Sequence, residues 1–132
     1  MIEVDAAVGT GMKVTCTRDE LLRHLGVVSR AVSTRMTVQI LSGVRLAASE
    51  GRLELAATDM ELSLRSSFET EVGDEGVVVV PGKTFVDIVR LLPDADVSLE
   101  HRPEEGMVVL TCGTASYKLH TYNPEDFPQL PD

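Results

Sequence analysis

The chain carries no tryptophan, only three phenylalanines and two tyrosines, and only two cysteines in 132 residues. Cys16 and Cys112 lie far apart inside apolar stretches. They need no pairing, and this usage suits a reducing compartment, where cysteine behaves as a small hydrophobe. Long hydrophobic runs are missing too. Nowhere do the roughly eighteen apolar residues of a membrane span stand together, and the acids Glu3 and Asp5 sit where a signal peptide would carry bases. These absences exclude a spanning helix and an export signal from the reading, and a cytoplasmic location is expected. Positive charge is also short, with 12 Lys and Arg against 21 Asp and Glu and a net charge of −9. Taken whole, that balance argues against a grip on nucleic acid through phosphate neutralisation.

What is present is an ordinary globular composition, 43% hydrophobic and 25% charged. At this length a folded chain buries about two-thirds of the surface its unfolded form exposes, enough for one core without metal or disulfide staples. Residues 1–11, with Ala6, Ala7, Gly9 and Gly11 near their end, read as a flexible lead-in, and residues 12–132 as the domain.

Met12, Val14 and Cys16 alternate with Lys13 and Thr15 as a short strand. Thr17 followed by Glu20 has the spacing of a capping box, and Leu21, Leu22, Leu25, Val28 and Val32 continue at helical spacing. One amphipathic helix is expected from Arg18 to Ser33. After a loop near Arg35 to Ser42, the segments Val44 to Ala48, Leu53 to Ala57 and Leu62 to Phe68 read as three strands joined by hairpin-length turns. Glu71 to Gly76 reads as an acidic turn, and Val77 to Val80 as a strand buried on both sides, ended by Pro81-Gly82. A second helix follows from Lys83 to Leu92, with Phe85, Ile88, Val89 and Leu92 on one stripe and Pro93-Asp94 as its stop. Three more strands, Val97 to Glu100, Met107 to Thr111 and Tyr117 to Thr121, lead to a tail with three prolines. The order is strand, helix, three strands, stated twice. It predicts an α+β fold of tandem βαβββ units, two helices packed on one side of two antiparallel sheets.

Catalytic motifs are hard to find in this pattern. Gly9-Thr10-Gly11-Met12-Lys13 lacks phosphate-loop spacing and precedes a strand, and His24, His101 and His120 sit on three different elements. No metal and no cofactor is expected. Asp59 and Glu61 alternate, so a metal-dependent enzyme built on them is the runner-up reading, although a turn between strands accounts for both.

The polar faces of the two helices are more informative. Arg23 and Arg30 are seven residues apart, as are Lys83 and Arg90, each pair away from its core stripe. Residues 18 to 33 hold three bases and two acids and residues 82 to 92 two bases and one acid, so the helices sum to +2 and the remainder to −11. A domain with basic helices and an acidic sheet side could meet a phosphate backbone without reading bases. A plain solvated helix face explains the same spacing.

Several segments resemble the first, N-terminal domain of the bacterial DNA polymerase III beta subunit, the sliding clamp. They are Met12 to Thr15, Gln39 to Leu46, Ala57 to Glu61, Val80 to Lys83 with Phe85 to Arg90 and Leu92-Pro93, and Asp126 to Leu130. The resemblance runs from Met12 to Asp132 and is carried by order and spacing. It implies a non-catalytic subunit of the polymerase holoenzyme, made of three such domains. Two subunits would close head to tail into a ring around double-stranded DNA, helices inward, binding without sequence preference and tethering the replicative polymerase as a processivity factor.

The same resemblance places Arg35 at the family's DNA-contacting arginine, although Met36-Thr37 follow where many clamps have proline. Arg23, Arg30, Lys83 and Arg90 are further DNA-contact candidates, and Lys83 has a second reading at the subunit interface. Tyr117 and Leu119 read as core residues from their alternation alone. The resemblance instead places them, with Ile88, at the homodimer interface, where the last strand would pair with the partner subunit. It also implies that this chain is a piece of a longer subunit, whose absent second and third domains meet the polymerase and the clamp loader. A stand-alone protein-interaction module using the Tyr117 edge strand is the remaining alternative. No membrane partner is expected.

Overall fold

The computed structural model describes residues 11–31, 43–58 and 62–122. Strand β1 (Lys13–Thr17) leads into helix α1 (Arg18–Val28) and a 3₁₀ turn (Ser29–Ala31). Strands β2 (Gly43–Ser49), β3 (Arg52–Thr58), β4 (Ser63–Glu69), β5 (Glu71–Asp74) and β6 (Gly76–Pro81) precede helix α2 (Gly82–Leu91). Strands β7 (Asp96–Arg102), β8 (Met107–Cys112) and β9 (Ala115–His120) complete the described elements.

The helix start is where the capping spacing placed it. Thr17 Oγ1 accepts the Glu20 backbone N–H at 3.1 Å, and the Arg18 N–H donates to the Ala95 carbonyl at 3.0 Å. Only half of the capping box forms, because the Glu20 carboxylate turns to side chains on its own helix instead. The α-helix also stops earlier than expected, at Val28 rather than Ser33. Ser29 Oγ donates to the Gly26 carbonyl at 3.1 Å, and the chain tightens into the 3₁₀ turn after a last turn weakened by glycine and two β-branched residues. Residues 32 and 33 lie outside the described residues.

The acidic segment after β4 is a strand, not only a turn. Strand β5 pairs antiparallel with β1, Lys13 opposite Asp74 and Thr15 opposite Glu71, across an irregular register between Lys13 and Val14. A lysine set opposite an aspartate in the register, a half-buried Val72, and Thr70 Oγ1 donating to the Thr15 carbonyl at 2.6 Å outweigh the poor strand propensity of acids at a solvated edge. The valine run is likewise only partly enclosed. Val78, Val79 and Val80 are fully buried, but Val77 is 37% exposed at the start of β6.

Two antiparallel sheets result, ordered β4-β3-β2-β6 and β5-β1-β7-β8-β9. Each unit's first strand is exchanged. β1 pairs with β7 of the second unit, Cys16 opposite Val97, while β6 pairs with β2 of the first, Val80 opposite Val44. The helices pack against each other and run antiparallel, since an Arg18 guanidinium N–H at the start of α1 donates to the carbonyl of Arg90 near the end of α2 at 3.3 Å. Leu21 and Leu25 of α1 and Phe85 and Val89 of α2 join Leu46, Leu55, Leu99 and Leu110 of both sheets in one buried cluster. Alternation turns one side of most strands outward, while Leu55 to Ala57 of β3 and Val78 to Val80 of β6 are buried on both sides.

Candidate nucleic-acid interface

The inward stripe of each helix dictates where its cations go. With Leu21, Leu25 and Val28 buried on α1 and Phe85 and Val89 on α2, the side chains of Arg23, Arg30, Lys83 and Arg90 are all exposed. They differ in what holds them. Arg23 Nη2 bonds Glu20 Oε2 one turn back, and Lys83 Nζ lies 3.3 Å from Asp87 Oδ2 one turn ahead. The guanidinium groups of Arg30 and Arg90 have no ion pair among the described residues. Arg18 is a different case. Its side chain is 24% exposed and is committed to Asp19, at 3.2 Å, and to the Arg90 carbonyl, so it clamps the helix pair together. Arg35, Asp59 and Glu61 lie outside the described residues.

The expected acidic sheet side needs correction. The outward strand faces carry Arg45, Arg52, Arg65, Lys13, Arg102 and Lys118 beside Glu54, Glu69, Asp96 and Glu100. Arg45–Glu54, Arg52–Glu69 and Arg102–Glu100 pair at 3.6, 3.7 and 3.6 Å. Unpaired acidity gathers instead at the ends of the sheets, in β5 and in turn residues such as Glu50, Asp94, Glu104 and Glu105. Counting charge by secondary-structure class could not separate a strand's face from its turn.

Sequence reasoning missed one side-chain cluster. His24 Nδ1 hydrogen-bonds Ser66 Oγ, its Nε2 lies 3.4 Å from Glu20 Oε2, and its ring stacks on Phe68 at 4.6 Å between centroids. Serine, histidine and glutamate meet here, yet His24 is only 17% exposed and lies against the α1–β4 packing. Bonded to Ser66 and stacked on Phe68, His24 ties α1 to β4 as a strut between helix and strand. The signal was spatial, since Ser66 and His24 are 42 residues apart.

A cavity of about 210 Å³ opens beside it, lined by Thr15, Cys16, Thr17, Glu20, Glu69, Thr70, Glu71 and Asp96. Burial, with the Glu20 and Asp96 carboxylates adding to it, pushes the Cys16 thiol up to about 12, so the sulfur stays protonated and is no nucleophile at neutral pH. Among the described residues no group of three or more His, Cys, Asp or Glu is placed to hold a metal ion. Nor is any described helix long and apolar enough to cross a membrane.

The candidate interface residues at the far edge are placed unequally. β9 is the terminal strand of the five-stranded sheet. Tyr117, opposite Leu110, and Ile88 are half-buried, whereas Leu119, opposite Val108, is 3% exposed and belongs to this chain's own core.

Two helices packed together on two strand-exchanged antiparallel sheets define a DNA-clamp domain. Residues 12–131 match the family model of the DNA polymerase III beta subunit, N-terminal domain. The beta sliding clamp of Synechococcus elongatus is 38% identical over 123 residues, covering 91% of this chain and 32% of that protein. The beta sliding clamp of Streptomyces coelicolor is 37% identical over 120 residues, with 91% and 31% covered. Among solved structures, the Caulobacter crescentus beta sliding clamp superposes with a TM-score of 0.88 at 35% identity, covering 93% of this chain and 33% of that one. The Helicobacter pylori beta clamp bound to DNA ligase peptide does so at 0.86 and 26%, with 92% and 34% covered. The chain belongs to the DNA polymerase III beta subunit family, as its N-terminal domain. It spans about a third of the length of these relatives.

Proposed function

We infer that this domain forms one segment of a sliding clamp, a non-catalytic processivity factor that surrounds duplex DNA and keeps the replicative polymerase on it. The observation that carries the reading is the exposure of Arg23 on α1, Arg30 on the 3₁₀ turn that continues it, and Lys83 and Arg90 on α2, which packs beside α1. Cations in that arrangement neutralise phosphates without selecting bases, and contacts between exposed side chains and phosphate exchange easily, as sliding requires. Arg35 adds a fifth contact by its place in the sequence. Three such domains per subunit and two subunits head to tail would close the ring, in the cytoplasm, with polymerase and clamp loader engaged elsewhere on it.

In this reading the outer edge of β9, which no described strand covers, pairs with the partner subunit. Tyr117 and Ile88 supply apolar cover beside the new backbone hydrogen bonds, and Leu119 supports the strand from beneath. Lys83 fits the DNA side, because its side chain is 79% exposed and it shares α2 with Arg90. The metal-dependent reading of Asp59 and Glu61 and the stand-alone module are not favoured by the family to which the chain belongs.

Fluorescence anisotropy with labelled duplex DNA tests the proposal. The chain should bind weakly and with salt dependence, and replacing Arg30 or Arg90 by Gln should lower the slope of log K against log salt by about one, and Arg23 or Lys83, each already paired with a carboxylate, by less. Nanomolar binding at physiological salt, or slopes unchanged in all four variants, would overturn it.

A further inference from the structure

The four helix-face cations are not equivalent, and the difference lies in their carboxylate partners. Glu20 holds Arg23 and Asp87 holds Lys83, each within the same helix, while Arg30 and Arg90 stand without an ion pair among the described residues. Helix stability accounts for the first pairing only. Glu20 sits in the first turn of α1, where a negative charge complements the helix dipole, and it precedes its base. Lys83 and Asp87 have the reverse order. Lys83 places a positive charge at the start of α2, whose N-terminus has no side-chain cap, and Asp87 follows it. The dipole opposes the lysine there, so the pair contributes little to forming the helix. Lys83 and Asp87 are 79% and 52% exposed, so their attraction is screened and readily exchanged for that of another anion.

We propose that Glu20 and Asp87 are built-in counterions, which occupy Arg23 and Lys83 until a DNA phosphate displaces them, leaving Arg30 and Arg90 as the standing contacts. The proposal rests on the DNA reading above and says how tightly that face grips. A phosphate reaching Lys83 gains one anionic contact at the cost of another, so the exchange yields little net affinity. At Arg30 and Arg90 no such exchange is needed. Half of the helix-face cations are thereby kept from holding one position on the duplex firmly, which favours a mobile grip.

The test is a thermodynamic cycle on the 132-residue chain with labelled duplex DNA in dilute salt. Asp87→Asn should tighten binding by about two- to five-fold, and Glu20→Gln by a similar factor. In a Lys83→Gln background, Asp87→Asn should have no effect. Glu104→Gln, which removes an exposed acid from the turn before β8, should leave affinity unchanged. Circular dichroism checks that each variant is folded, and Asp87→Asn carries the test should loss of Glu20 weaken α1. Unchanged affinity in Asp87→Asn, with wild-type chain binding, overturns the counterion role alone. Equal tightening with and without Lys83 overturns it as well, since the acid would then act through the general field. A folded wild-type chain that binds no duplex in dilute salt overturns the DNA reading and the counterion role together.

Discussion

Cys16 is held as a neutral thiol by the apolar wall behind it and the carboxylates of Glu20 and Asp96 before it. Its folded-state value lies above the ordinary 9.0, so the unfolded chain loses this proton first as pH rises. The stabilisation is complete below pH 9.0 and is lost between 9.0 and about 12. Urea unfolding should therefore show an alkaline decline that Cys16→Ala lacks. His101 gives the opposite limb. Burial lowers its folded-state value below the usual 6.5, with Glu104 pulling the other way, so the unfolded chain takes up the proton more readily. Stability contributed by the neutral ring is present above about pH 6.5 and declines as pH falls through the window beneath it. His101→Gln should flatten that part of the pH profile. The apolar character of Cys16 was legible from its neighbours in the strand. The joining of His24 to Ser66, Glu20 and Phe68 was not, because nothing local to position 24 encodes what a strand some forty residues away will set beside it.

Elements here stand or fall on their ends and edges. Thr17 satisfies one of the free N–H groups at the start of α1, so Thr17→Ala should cost about 1 kcal/mol in a denaturant titration. Removing a core anchor costs more. Phe85 is fully buried where α2 meets both sheets, and Phe85→Ala should cost about 3–5 kcal/mol by the same measurement. Both helices and eight of the nine strands were readable from periodicity, since a buried stripe or a buried alternate row imposes its own spacing on the residues. Strand β5 was not readable. Four residues with two acids and a glycine have no strand pattern of their own, and they become a strand because β1 offers them a free edge and Thr70 anchors their start. The early end of α1 was hidden for a related reason, as Leu21, Leu25 and Val28 keep the same stripe whether or not another turn follows.

At the scale of the whole molecule, the exchange of β1 and β6 makes the two βαβββ units one folding entity. Without the first unit the five-stranded sheet lacks both β1 and β5, and without the second unit the four-stranded sheet lacks β6. Cutting the chain between Asp74 and Gly76 should yield two pieces that show little strand signal alone and recover it on mixing, as circular dichroism would report. Independent folding of either piece would show that the exchanged strands are dispensable. The charge pattern belongs to this scale as well. Of the net charge of −9, the described residues carry only −3, 14 acids against 11 bases, and among them exposed cations on the helix pair coexist with strand faces on which Arg45–Glu54, Arg52–Glu69 and Arg102–Glu100 are paired.

The sequence by itself determined the doubled order of elements, the two buried helix stripes and the presence of cations opposite them, because periodicity and local capping depend on neighbours within a few turns. Only the tertiary structure decided which unit receives each first strand, that β5 forms, and that Arg45, Arg52 and Arg102 find acids on the outward sheet faces. Backbone pairing between distant strands is settled by the positions of groups far apart in the chain, and these exist only once the core has closed.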